Sequence, residues 1–274
     1  MKNTFKECLR SKSEDISKPS IVQVNDSYFI IDPNNQLYKE YSSKLKRNGY
    51  KIRCVNLASV KDGNKYDPTI YINTENDVEL FVDTILKYTQ PLSEEYDVEK
   101  VEKLEKELLM SIVTSNCRNS YGIYNIFALL NYVEPNYIDP YTPNLDSSLM
   151  VMSFDVEMRD VGLCCPNAPE VIHLKKFRDN VGDMAKIVIK SCLHRLSFLK
   201  KHNVGELINT ENDEINLNNL KQTDTALFLI PSKEDIDINL FALILLNQFY
   251  CKYELREIMI NSPVAQYLRT CPYT

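Results

Sequence analysis

Glycine is scarce in this sequence: 6 residues in 274, about 2%, against an average near 7%. Loops that wrap phosphate groups need glycine for positive φ and for close backbone approach, so the chain is poorly supplied for that chemistry. Tryptophan is absent, and the only histidines are His173, His194 and His202. His194 and Cys192 are two residues apart in a helical stretch, which puts them on different faces and removes a metal pair. The eight cysteines include no C-x-x-C and no zinc-type Cys/His spacing. Six are scattered singly and Cys164–Cys165 are adjacent, a pattern that excludes a disulfide framework and fits a reduced, cytoplasmic chain. No G-x-S-x-G is present, so a nucleophile elbow is excluded. The N-terminal MKNTFKECLRSKSED has no apolar core of a secretory signal. The most apolar run, Leu240–Leu246, is far short of the roughly 20 residues of a membrane span.

What is present is an ordinary globular composition, 44% hydrophobic and 26% charged, with net charge −6. That balance excludes wholesale disorder and disfavours a generally basic surface for holding duplex DNA. The charge is uneven: residues 1–75 carry 13 Lys/Arg against 9 Asp/Glu, leaving 19 against 29 for the rest.

Tyr28–Ile31 is a short apolar run closed by Asp32-Pro33, which predicts a buried strand and a turn. Leu37, Tyr38, Tyr41 and Leu45 then follow at helical spacing, with Gly49 as a stop. Lys51–Leu57 reads as a second strand, so the start of the chain is a strand–helix–strand α/β unit. From about Asn76 the period is helical. Val78, Phe81 and Ile85 mark one helix; Val101, Leu104, Leu108 and Ile112 mark a second. Tyr121–Val133 predicts a third, Leu145–Met158 a fourth, and Val171–Leu199 a long amphipathic one. Glu102, Glu105 and Glu107 alternate with Lys100, Lys103 and Lys106, the pattern of a solvated helix face. Thr225–Ile230 is again a continuous apolar strand, and Ile236–Ile258 a strongly apolar closing helix. The expected architecture is an α/β core at both ends, residues 1–75 and 223–274, with an all-helical block at 76–222 inserted in a connection.

Several segments resemble the TraG/VirD-type coupling proteins of type IV secretion, ATPases that feed DNA into conjugation channels. Lys18-Pro19-Ser20-Ile21-Val22-Gln23 is similar to the family's K-P-N-[IL]-M-Q at the end of its P-loop helix. Ser27-Tyr28-Phe29-Ile30-Ile31-Asp32-Pro33 is similar to S-Y-V-V-T-D-P, and Gly49-Tyr50-Lys51-Ile52-Arg53 to G-Y-x-[IV]-x. Tyr66-Asp67-Pro68 through Ile72 is similar to Y-N-P-F-x-Y-I; Thr225–Pro231 matches T-A-L-F-x-I-P. Gly182 through Leu196 follows the helix of the family's all-α domain. The resemblance implies an α/β fold: a partial RecA-like P-loop NTPase core with a parallel sheet and a large all-α insertion.

It also exposes what differs. The P-loop pattern G-x-x-x-x-G-K-[ST] aligns its Lys and hydroxyl on Lys12 and Ser13, but its glycines fall on Lys6 and Ser11. The degenerate pair Lys12 and Ser13 is the expected remnant of the nucleotide site. The family's D-E-F strand should follow the last helix, and no Asp or Glu occurs after Glu257; without that carboxylate nothing orients water or holds Mg²⁺. The family's D-P-K-G-E turn becomes Asp32-Pro33-Asn34-Asn35-Gln36, where Asp32 is expected to close its strand on local amides. The resemblance thus implies a relative cut at both catalytic edges that does not hydrolyse ATP. It is expected to bind no cofactor, ATP and Mg²⁺ entering only if a partner chain completes the site in trans. The implied role is recognition or docking of relaxosome or type IV secretion proteins in the cytoplasm, with single-stranded DNA as a further partner. The alternatives are an ATPase subunit completed in trans and a decayed fragment. Lys44, Lys46, Arg47 and Arg53, with Tyr41 and Tyr50, form the best basic-aromatic patch for nucleic-acid phosphates.

Overall fold

A computed structural model describes residues 20–24, 26–92, 97–120, 122–123, 126, 153–208, 214–222, 224–235 and 237–253. The chain divides into two compact units, Met1–Tyr71 with His202–Thr274, and Ile72–Lys201.

The first unit is built on a four-stranded sheet in the order β1-β2-β4-β3, with β1 at Ser20–Val24, β2 at Ser27–Ile31, β3 at Lys51–Asn56 and β4 at Thr225–Ile230. β2 and β3 both run parallel to β4, which lies between them. The helix α1, Gln36–Arg47, therefore carries the chain from β2 across β4 to β3, the crossover that parallel pairing requires. Tyr28, Ile30, Cys54, Ala226, Phe228 and Ile230 face α1, meeting Leu37 and Leu45. A second helix of this unit, Asn239–Lys252, belongs to the opposite face, where the Phe29 and Phe249 rings stack at 4.3 Å. Its residues from Leu240 to Leu246 are all buried, and this explains an apolar run that carries no amphipathic period.

One strand departs from expectation. Ser20–Val24, aligned by the resemblance with the end of a P-loop helix, is β1 and pairs antiparallel with β2, Val24 opposite Ser27. Ile21, Val22 and Val24 are β-branched, Pro19 precedes them, and Asn25-Asp26 is a two-residue turn sequence; each favours a hairpin over a helix. Residues 202–208 and 214–222, read from sequence as the end of the helical block, belong to the first unit. The Ser27 hydroxyl donates to Leu220 O (2.6 Å) and accepts from the Thr225 amide (3.0 Å), while Tyr253 OH donates to Leu217 O (2.6 Å). The short helix His202–Leu207 ends where the Tyr66 amide donates to Leu207 O (2.9 Å).

The second unit is helical: α2 (Glu75–Tyr88), α3 (Val98–Arg118), α4 (Ser153–Cys164), α5 (Pro169–Val181) and α6 (Ala185–Arg195). α3 lies at its centre, against α5, α2 and α6. Thr74 caps α2 in a capping box with Asp77. The single helix expected over Val171–Leu199 is two, because Gly182 takes φ +48° and a 3₁₀ turn follows before α6. The fourth predicted helix starts within the described residues at Ser153, and the helix predicted over 121–133 falls outside them apart from residues 122, 123 and 126.

Glu102, Glu105 and Glu107 are not a solvated face. Glu105 is fully buried and its Oε2 accepts from Arg195 Nε (2.9 Å), while Arg195 Nη2 donates to Glu102 Oε1 (3.0 Å). Arg195 Nη1 donates to the carbonyls of Leu86 and Thr89, closing the end of α2. Glu107 Oε2 lies 2.6 Å from His173 Nδ1. The alternation with lysine hid which carboxylates turn inward, because the side chains that meet them stand 66 to 93 residues later. The reading of His173 as a satisfied side chain agrees with this geometry, His194 is exposed, and Cys192 is buried. The last two therefore stand on different faces.

Candidate functional site

In open parallel sheets, ligands collect where strands end at their carboxyl edge and the strand order reverses. Here that edge gathers the turn after β2, the turn after β4 and the end of β3. Asp32 is fully buried, and its amide donates to Leu229 O (2.9 Å), extending the β2–β4 pairing by one residue. Its carboxylate turns onto the start of α1: Oδ1 accepts from the Gln36 amide (3.1 Å) and Oδ2 from the Tyr38 amide (2.8 Å). Both amides belong to the first helical turn, whose N–H groups have no intrahelical partner, and a carboxylate also suits the helix's positive end.

Between them the chain makes a tight turn in which the Asn35 amide donates to Asp32 O (3.0 Å) and Asn35 sits at φ +55°. Asparagine is the residue other than glycine that best tolerates this left-handed region. Asn35 stands where the D-P-K-G-E pattern has glycine. At that position this chain is left-handed, while the pattern's lysine and glutamate positions hold the neutral Asn34 and Gln36. A lysine does reach the turn from elsewhere: Lys233, in the loop after β4, donates to Asn34 Oδ1 (2.7 Å). That loop is itself fastened, since Asn239 accepts from the Ser232 amide (2.8 Å) and donates to Ser232 O (2.7 Å).

The chemistry open to this edge is narrow. Cys54 is buried, and burial, with the Asp32 charge adding to it, pushes its thiol up to about 12. It stays protonated and is no nucleophile at neutral pH. Among the described residues, no group of three or more His, Cys, Asp or Glu could hold a metal ion.

The chain matches the family model described as Type IV secretory system Conjugative DNA transfer over residues 11–262. It belongs to that family. No curated protein matches it. For this conjugative DNA-transfer family member, the expected α/β fold with a helical insertion is therefore the observed one. No helix among the described residues is long and apolar enough to cross a membrane.

Lys12 and Ser13 lie outside the described residues, as does the segment after residue 253 where a D-E-F strand was sought. The basic patch divides. Lys44, Lys46 and Arg47 are exposed on the last turn of α1, where positive charge complements the helix's negative end. The Lys44 ammonium lies 4.8 Å from the Tyr41 ring centre and 3.7 Å from Glu40; Arg47 Nε donates to Ser43 O (3.3 Å). Arg53 does not join them. Its neighbours Ile52 and Cys54 both face α1, and strand alternation puts Arg53 on the other side of the sheet. Tyr50 is buried and offers no ring for base stacking. The signal for both facts was the period of two along β3.

Proposed function

We propose that this conjugative-transfer family member acts in recognition or docking of the transfer substrate or relaxosome, and not in ATP hydrolysis. One observation carries the reading. The turn at Asp32 is left-handed at Asn35, where the family pattern has glycine, while the charged residues of that pattern are replaced by Asn34 and Gln36. The P-loop position repeats the theme, with Lys6 and Ser11 where glycines would cradle phosphate. Both substitutions remove residue types that the family patterns carry, and this supports a role other than hydrolysis. The helical unit is the candidate docking element, and its buried Arg195–Glu105 pair ties α3 to α6. The partners are relaxosome or type IV secretion proteins at the cytoplasmic face, and Lys44, Lys46 and Arg47 are the candidate contacts to single-stranded DNA. ATP with Mg²⁺ would enter only through a partner chain that completes the site.

The test is phosphate release by the purified full chain with Mg-ATP, run beside Lys12→Ala. Release at the buffer level for both proteins is expected. Magnesium-dependent turnover that disappears in Lys12→Ala would overturn the reading and establish a working nucleotide site.

A further inference from the structure

We propose that the adjacent thiols of Cys164 and Cys165 form a chelating site for one soft, thiophilic centre satisfied by two sulfur ligands, such as a trivalent organoarsenical. Cys164 is the last residue of α4 and Cys165 the first beyond it. Both are free and exposed. The backbone beneath them is fastened, since the Cys165 amide donates to Val161 O (2.7 Å) and Cys165 O accepts from the Ala168 amide (3.0 Å). Each exposed thiol turns about a single χ angle, on Cα atoms about 3.8 Å apart. One atom bonded to both sulfurs lies within their common reach.

The same spacing works against closing the pair on itself. A disulfide ordinarily spans Cα atoms about 4.4–6.8 Å apart, so joining neighbouring cysteines demands distortion that an inserted third atom relieves. The other described cysteines do not offer such a pair. Cys54 and Cys192 are buried, and burial pushes both thiols up. Cys117 and Cys251 are partly buried and stand singly in the sequence.

The donor set selects the ligand. Thiolates suit soft ions, whereas carboxylates and carbonyls suit Mg²⁺ and Ca²⁺. Leu163, Pro166 and Asn167 are exposed beside the pair and bring no charge. The nearest acids in sequence are Asp160, exposed one turn earlier on α4, and Glu170, which is buried and paired with Arg118. Among the described residues no group of three or more His, Cys, Asp or Glu could hold a metal ion, so Asp160 does not supply a third position. A structural zinc ion takes four ligands. A monosubstituted trivalent arsenical takes two, because carbon already holds its third bond.

With phenylarsine oxide the chemistry balances without an oxidant or reductant. The arsenic–oxygen bond gives way to two arsenic–sulfur bonds, both thiol protons leave with the oxygen as water, and arsenic stays trivalent. The experiment adds phenylarsine oxide to the reduced full chain and reads intact mass and remaining free thiols, beside a titration with Zn²⁺. The adduct is expected to consume two thiols, to survive excess glutathione and to be removed by dithiothreitol. Cys164→Ser and Cys165→Ser should each weaken it by on the order of a hundredfold, the scale gained when two linked groups engage together. Cys117→Ser and Cys251→Ser should leave it unchanged. Both members of the pair are exposed, so neither serine variant is expected to move the melting temperature. No adduct, an adduct that glutathione strips, an adduct equally tight in either variant of the pair, or Zn²⁺ held stoichiometrically and lost in those variants would each overturn the inference. None of these outcomes bears on phosphate release or on docking, so the site stands or falls separately from the proposed function.

Discussion

Asp32 shows how one side chain can be conspicuous in sequence and still be spent on structure. Both of its oxygens accept from amides that open α1, and the residue is fully buried. Asp32→Asn keeps the shape, but it replaces one acceptor with an NH₂ group that faces a backbone donor. Leaving such a buried donor unmet costs about 1–3 kcal/mol, so the urea midpoint is expected to fall accordingly. An unchanged midpoint would mean that the carboxylate does not hold this turn. The closing of a strand on local amides was legible from Asp32-Pro33 alone. The left-handed turn at Asn35 was not, because asparagine populates both signs of φ and only the folded chain shows which it takes.

Among the elements, legibility followed the source of each one's stability. β4 at Thr225–Ile230 appears where its apolar run predicts, and α1 ends at the Gly49 stop, whose φ of +90° is a conformation that glycine adopts without strain. These elements are specified by residues within them. β1 was misplaced because the family alignment was followed over its own β-branched run and Asn25-Asp26 turn, which already favoured the hairpin with β2. The inward carboxylates of α3 were misread for a different reason: Glu102 and Glu105 face a cation contributed by α6. That network joins three helices at once, through Glu102 and Glu105 of α3, the Leu86 carbonyl of α2 and Arg195 of α6. Arg195→Ala strands a buried Glu105 and is expected to destabilise the helical unit by about 3–5 kcal/mol. Loss of helical circular dichroism at lower urea concentration would report it, and a shift well under 1 kcal/mol would show that the pair is not structural.

On the scale of the whole molecule, the chain carries two units with separate cores. One is organised by a mostly parallel sheet and the other by helices around α3. Asp32, Tyr38 and Cys54 belong to the first unit; Arg195, Glu105 and Thr89 to the second. Domains with their own cores unfold as separate cooperative steps when little energy couples them. A urea titration followed by both circular dichroism at 222 nm and tyrosine fluorescence is therefore expected to resolve two transitions. Asp32→Asn should displace one and Arg195→Ala the other, each by the amounts argued above and neither affecting its counterpart by more than about 0.5 kcal/mol. A single transition that both substitutions move equally would show that the two units fold as one, and a docking role confined to the helical unit would then have to be read as a property of the entire chain.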